Sequence, residues 1–235
     1  NQGPPSQIIQ IWRDGGALKD PKLRRAISYA IDRKTIAEKI QGGMNSLAYN
    51  GMPTNMPFYR PSFEKYEYKP KKAKKLIKRL GYFDKVTLTM STSSLVPKQA
   101  EIDQAIVGYL KAVGIKVDVT KLEVGKFRTT YPDYDISLNT IATFNNDPSF
   151  SLGLYSGGIG KAIFGWEDSE MDRLFAAQRD DSGATRAGKV NKAQTYLWRM
   201  ARTLWVSDEN WVFIANKRVK NYERSPLVGE ALIVN

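Results

Sequence analysis

Apolar and polar positions alternate first in Gln7 to Trp12 (QIIQIW), which reads as a short strand. Asp20-Pro21 is a helix start, since Asp caps and Pro suits the first helical position. Leu23, Ala26, Ile27, Ala30, Ile31 and Ile40 then keep close to a helical period, which Gly42-Gly43 stops. Residues 44–64 hold three prolines and little periodicity, which predicts a long irregular loop, functional or packed against something. Pro70 opens a second helix that Gly81 ends. Val86 to Met90 (VTLTM) reads as a strand. Pro97 to Val113 reads as a helix with Ile102, Ala105, Ile106, Leu110 and Val113 on one face. Ile115 to Val119 and Tyr134 to Leu138 are two more strands. Thr140 to Gly165 is polar, Gly-rich and aromatic, and reads as loop. Asp168 leads into a helix carrying Met171, Leu174 and Phe175, with a break from Asp180 to Gly183. A longer helix follows from about Thr185 to Leu204, with Val190, Ala193, Leu197, Met200 and Leu204 inward. Trp211 to Ala215 (WVFIA) is a last strand. Strands alternating with helices define an α/β layer with crossover connections.

Composition narrows the chemistry. The chain has 235 residues, 42% hydrophobic and 26% charged, enough to bury a substantial core. It has no cysteine and no histidine. Disulfides, Cys/His metal sites, a thiol nucleophile and an imidazole base are therefore excluded. No apolar run reaches the ~20 residues that span a bilayer. Asn1 to Gln10 lacks a charged region followed by an apolar stretch, so it does not read as a signal peptide. The missing initiator Met favours a processed or cut chain. The net charge is +12, and part of it is concentrated at Lys65, Lys69, Lys71, Lys72, Lys74, Lys75, Lys78 and Arg79. Ala73, Leu76, Ile77 and Leu80 supply a buried face beside these residues. The basic run therefore reads as one solvated helix face rather than a nucleic-acid footprint.

Candidate sites lie in loops. Gly157-Gly158-Ile159-Gly160-Lys161 invites a phosphate-loop reading, but Ala162 follows the lysine and Tyr155 stands where the first glycine belongs. A flexible loop is the better reading. Asp133, Asp135, Asp180 and Asp181 read as capping and turn residues. Tyr49, Asn50 and Met52 lie in the first long loop, and Phe144, Asn145, Asn146 and Phe150 in the second. Such loops supply the apolar walls and polar groups of a ligand cleft, or else cover sheet edges.

The order of segments resembles the family 5 extracellular solute-binding proteins of ABC importers. DPKLRRAISYAIDRKTIAEKI (20–40) matches a family signature at Arg24, Arg25, Ala26, Tyr29, Ala30, Ile31, Asp32 and Arg33. YEYKPKKAKKLIKRLGY (66–82) resembles a family helix, with Lys69 where Asp is usual. AIVGYLKAVGIKVDV (105–119), YDISL, the Asn146-Asp147-Pro148 step, Trp166 to Leu174 and the helix near 185–205 follow in order. The resemblance implies an α/β fold, a periplasmic-binding-protein-like type II lobe whose mixed sheet is flanked by helices. Family members are about twice as long and two-lobed, so the chain looks like a fragment. Residues 1–14 would be a hinge-proximal segment, 15–205 the second ligand-binding lobe, and 206–235 a segment returning to the first lobe. The implied function is capture of a small solute, a peptide or related conjugate, for an ABC importer permease. The implied protein is extracytoplasmic, at most peripheral to the membrane, a monomer and not an enzyme, with no cofactor, metal or nucleic acid. Tyr49, Asn50, Met52, Phe144, Asn145 and Asn146 would face the cleft, and Asp147 and Pro148 would be structural beside it. Peptide-binding members hold the ligand's amino group with an Asp three residues before the Asp-Pro step. Phe144 stands there in this chain, and a ring face attracts an ammonium by only about 0.5–2 kcal/mol. The rival readings are a small hydrolase using Asp133 or Asp135 and a basic nucleic-acid-binding module.

Overall fold

The structure, a computed structural model, describes residues 6–11, 15–49, 51–52, 56–60, 67–141, 147–164, 167–210, 216, 218, 222–224 and 231–233. Its elements are β1 (Ser6–Ile11), α1 (Pro21–Ala30), α2 (Arg33–Thr35), β2 (Ser46–Leu47), α3 (Pro70–Arg79), β3 (Val86–Thr92), α4 (Gln99–Ala112), β4 (Ile115–Lys121), α5 (Val124–Thr130), β5 (Ile136–Ile141), α6 (Pro148–Gly153), α7 (Gly157–Phe164), α8 (Ser169–Arg179), α9 (Gly183–Met200), β6 (Thr203–Asp208), β7 (Tyr222–Arg224) and β8 (Ala231–Ile233). The order in the main sheet is β2-β6-β1-β5-β3-β4, and β7 and β8 pair separately. β3 runs parallel to β4 and β5, while β1 is antiparallel to both β5 and β6. The sheet is therefore mixed, as the alternation of strands and helices predicts. Among the described residues, no helix is long and apolar enough to cross a membrane.

Successive strand residues point to opposite faces, and each face has its own core. Ile9, Ile11, Leu138, Leu204 and Val206 pack with Leu23, Ile27, Ala73, Ile77, Ile106 and Leu110 of α1, α3 and α4. Ile8, Ile141 and Trp205 pack on the other face with Met52, Met56, Leu152, Met171, Leu174, Val190 and Ala193. The segment between α2 and α3, predicted as a long irregular loop, supplies Met52 and Met56 to this second core. It also contributes β2, which pairs with β6 through Ser46 to Asp208 and Leu47 to Ser207.

Local chemistry sets the element ends. Asp20 caps α1 by accepting from Lys22 N (2.8 Å), with Pro21 in the first turn. The single helical run predicted over 20–40 is split. Ile31 adopts an extended conformation, and Asp32 opens a new turn by accepting from Thr35 N (3.0 Å) and Thr35 Oγ1 (2.8 Å). A π turn, Ile36–Ile40, follows. The long helix predicted to Leu204 stops at Met200, because Ala201 is left-handed (φ 46°) and Thr203 begins β6. Leu204 fits a helical repeat from Met200 and a strand face equally well, so spacing alone misassigned it. The predicted loop over 140–165 contains two helices, α6 and α7. The glycine cluster lies in α7, where Gly160 meets the backbone of Tyr155 closely. A Cβ there would sit 3.0 Å from the Tyr155 carbonyl carbon. The predicted strand Trp211 to Ala215 lies outside the described residues.

Two arginines of the 20–40 signature are interior ties. Arg24 is 2% exposed and donates to the carbonyls of Met200 (2.5 and 2.8 Å), Leu18 (2.6 Å) and Lys19 (3.1 Å). It thereby satisfies the terminal carbonyl of α9, which no helical N–H can reach. Arg33, 3% exposed, donates to Trp205 O (2.6 Å), Ser28 O (2.9 Å) and Ser28 Oγ (2.7 Å), fastening the end of α1 to β6.

Candidate functional site

β3, β4, β5 and β6 point the same way, so Thr92, Lys121, Ile141 and Asp208 end at one edge of the sheet. Ligands of open α/β sheets sit outside the carboxyl ends of the strands. Ser6 pairs there with both Ile141 and Asp208, and Ser46 pairs with Asp208. The described chain thus enters the sheet at Ser6 beside the ends of β5 and β6.

Amides and hydroxyls crowd this edge. Asn210 Nδ2 donates to Met44 O (2.7 Å) and Ser46 Oγ (3.2 Å), and Asn210 N to Asn45 Oδ1 (3.4 Å). A depression of about 190 Å³ lies between Gln41, Met44, Asn45, Pro97, Lys98, Glu209 and Asn210. Beneath it, Gln99 Oε1 accepts from Val96 N (3.0 Å), and Gln99 Nε2 donates to Leu138 O (3.3 Å). These bonds hold the β3–α4 turn against β5. Asp103 lies deeper, 3% exposed, with Oδ2 bonded by Thr92 Oγ1. Loss of water pushes its carboxyl up to about 7.

Asp147 follows the second candidate loop and caps α6, accepting from Ser149 N (2.7 Å). Arg186 of α9 grips it with both terminal nitrogens (2.6 and 2.8 Å) and also reaches Ser149 Oγ (2.9 Å) and Gln178 Oε1 (3.1 Å). The Arg186 guanidinium holds the Asp147 carboxyl at about 2, below the usual carboxylate range. Pro148 is buried in the first turn. The Asp-Pro step signals the cap in the sequence. Nothing in the sequence points to Arg186 or Gln178 as its partners.

The predicted loop residues are placed as follows. Tyr49 is half-buried and borders a cavity of about 20 Å³ with Gly51, Tyr155, Trp198, Arg202 and Trp205, space for one water. Burial raises its phenol pKa, and burial with Asp208 pushes that of nearby Tyr59 up to about 12. Met52 is 1% exposed in the second core. Half-buried Phe150 lies in α6. Asn50, Phe144, Asn145 and Asn146 lie outside the described residues. β2 runs antiparallel to β6, so its chain leads away from the carboxyl edge toward Tyr49, whereas Asp147 follows directly on the 142–146 segment. Of the rival carboxylates, Asp135 accepts from Thr89 N (2.8 Å) and Thr89 Oγ1 (2.9 Å), a tie between β3 and the start of β5. Asp133 is exposed in the turn Tyr131–Asp133. Neither is near the carboxyl edge. No group of three or more metal-ligating side chains occurs among the described residues.

A mixed sheet with helices on both faces, and a carboxyl edge lined by amides, hydroxyls, Lys98 and Glu209, defines an α/β lobe of the periplasmic-binding class. The solved structure of HbpA2 from Haemophilus parasuis superposes with a TM-score of 0.83 at 22% identity, over 96% of this chain and 46% of that one. DppA from Helicobacter pylori in complex with the peptide STSA gives 0.78 at 21% identity, over 87% and 41%. In sequence, the glutathione-binding protein GsiB of Pectobacterium atrosepticum is 24% identical over 215 residues, 89% of this chain and 42% of its own length. The model of the bacterial extracellular solute-binding proteins, family 5 Middle, matches residues 2–162. The chain belongs to that family. It spans less than half the length of these relatives.

Proposed function

We propose that this chain is the second lobe of a substrate-binding protein that delivers a small solute to an ABC importer permease. The observation that carries the reading is the meeting of Ser6, Ser46, Ile141 and Asp208 at one sheet edge. In this reading, the crossings to another lobe and the residues after β5 would meet at that edge. Residues 1–14 then lead in through the hinge, 15–205 form the lobe, and 206–235 return to the first lobe. The solute lies between lobes, and closure is favoured by contacts made only in the closed form. Capture involves no covalent chemistry, the protein is extracytoplasmic and monomeric, and nucleic acid is not a partner. Asn50, Phe144, Asn145 and Asn146 remain the proposed cleft residues; Tyr49, expected with them, lies on the chain that leads away from the carboxyl edge, and Met52, also expected to face the cleft, is buried in the second core.

The ligand class follows from Phe144. A free α-amino group placed beside a phenyl ring would be desolvated without a carboxylate, at a cost of several kcal/mol. Asparagine amides both donate and accept, so Asn145 and Asn146 suit hydroxyls and amides of a neutral polar solute. The relatives named for glutathione and for a peptide complex keep peptide-related compounds within reach, and Phe144 favours those whose amino group is blocked or conjugated. Calorimetry on this chain alone and on a two-lobed protein containing it tests the reading. The lone lobe offers half of the enclosing contacts, so binding no tighter than roughly millimolar, about −4 kcal/mol, is expected. Micromolar affinity for the lone chain would overturn the shared cleft.

A further inference from the structure

The basic charge is not spread evenly over the surface. Lys22, Arg25 and Tyr29 recur at three- and four-residue steps on one face of α1, opposite Lys72 and Arg79 of α3. Lys69 N donates to Tyr29 O (2.8 Å) where the end of α1 meets the start of α3. Between the helices lies a groove of about 240 Å³ lined by these five residues, Leu76 and Leu80 of the α3 stretch, and Trp198 of α9. Among the described residues, no carboxylate lines it. Several cations elsewhere are matched to acids, as in Lys34–Glu38, Lys98–Glu101, Arg173–Glu170 and Arg186–Asp147. Lys22, Arg25, Lys72 and Arg79 form no ion pair among the described residues. Lys72 instead stands 4.0 Å over the Tyr29 ring.

Four cations converging on one concavity repel one another and raise the local anion concentration. A single carboxylate would neutralise one of the four. Two guanidinium forks with two ammonium groups match an anion with several oxygens and more than one charge. The volume is below the roughly 300–1,000 Å³ of pockets for drug-sized ligands, so it fits a phosphate group with little attached. Tyr29 and Trp198 give that attached part an aromatic wall. We propose that the α1–α3 groove is a binding site for a polyvalent phosphate-type oxyanion, separate from the carboxyl-edge cleft. The phosphate belongs either to a soluble ester or to a lipid headgroup.

The test titrates pyrophosphate by calorimetry at low ionic strength. It also measures co-sedimentation with phosphatidylcholine vesicles carrying phosphatidic acid. Two double variants with the same charge loss are compared, Arg25→Gln with Arg79→Gln in the groove and Lys71→Gln with Lys75→Gln outside it, each checked by circular dichroism for an unchanged fold. The groove pair should weaken binding about tenfold or more and the outer pair by less than about twofold, since charge-assisted hydrogen bonds need the groove's geometry. Groove-dependent pyrophosphate binding assigns a soluble phosphate. Groove-dependent binding to vesicles alone assigns a lipid phosphate. Equal loss with both pairs, or no binding to either probe, overturns the site.

Discussion

The two faces of the sheet are held by different means. Under α1, α3 and α4 the core is mainly aliphatic, and it is tied by two buried guanidiniums, Arg24 and Arg33, bonded to backbone carbonyls and to Ser28 Oγ. Under α6, α8 and α9 the core takes in three methionines, and the polar network on its rim is the carboxylate–guanidinium pair Asp147–Arg186. Neutral acceptors do not titrate near neutrality, so these two guanidinium ties are indifferent to pH. The second depends on an acid staying ionised. The rim that adjoins the proposed cleft is held by a partly solvated pair, with the Asp147 side chain 42% exposed. Mobile elements of binding proteins are drawn from regions of low local stability.

The largest effect should come from the first face. Arg24→Ala leaves the carbonyls of Met200 and Leu18 buried without their donor, and each such loss is worth about 1–3 kcal/mol. A total loss of about 3–5 kcal/mol in a urea melt is expected. A loss under about 1 kcal/mol would show that water reaches these carbonyls and erase the contrast.

Asp103 sharpens the comparison, because it is a carboxyl on α4 beneath the first face's edge. Burial raises its pKa to about 7, so the folded protein holds this proton more tightly than the unfolded chain does. Its contribution is fully present below the unfolded value near 4 and is lost as pH rises through about 7. Asp103→Asn should therefore be neutral at acid pH and stabilise by about 1–3 kcal/mol at alkaline pH, read from paired denaturant melts. A variant less stable than the parent at alkaline pH would place a cation beside the carboxylate.

Asp147 has the opposite sign. Its pKa is lowered to about 2, so its stabilisation is present above the unfolded value near 4 and disappears as pH falls toward about 2. The side chain is 42% exposed, and solvent screening reduces the effect to about 1 kcal/mol. Arg186→Met should remove that acid-side slope from the melting profile. An unchanged slope would mean that the pair contributes nothing.

The smallest effect is expected on the exposed side of α3. Changing Lys71 and Lys75 to Glu should alter stability by less than about 1 kcal/mol, because both are solvated. A larger change in the urea midpoint would place them in a packed or paired setting.

Legibility followed the same division. α3 was legible from Pro70 to Gly81, because a strong apolar face, a proline start and a glycine stop agreed. β3 and β4 were legible from alternation. The ties of Arg24 and Arg33 were not, because their partners lie 176 and 172 residues away. α6 and α7 are short and rich in Gly and Ser, so they carry no clear period. At the site, the Asp147 cap was readable from Asp-Pro, while Arg186 is one basic residue among 36 with no local signal.

The central claim is that this lobe serves a cleft that does not select ligands by a free α-amino group. Competition binding on a two-lobed protein containing the chain tests it most directly, using a peptide conjugate and its N-acetylated form. Desolvating an ammonium beside Phe144 costs several kcal/mol, so the account predicts that acetylation leaves affinity unchanged or improves it. Abolition of binding by acetylation would contradict it, because an acidic anchor for the amino group would then exist elsewhere in the cleft.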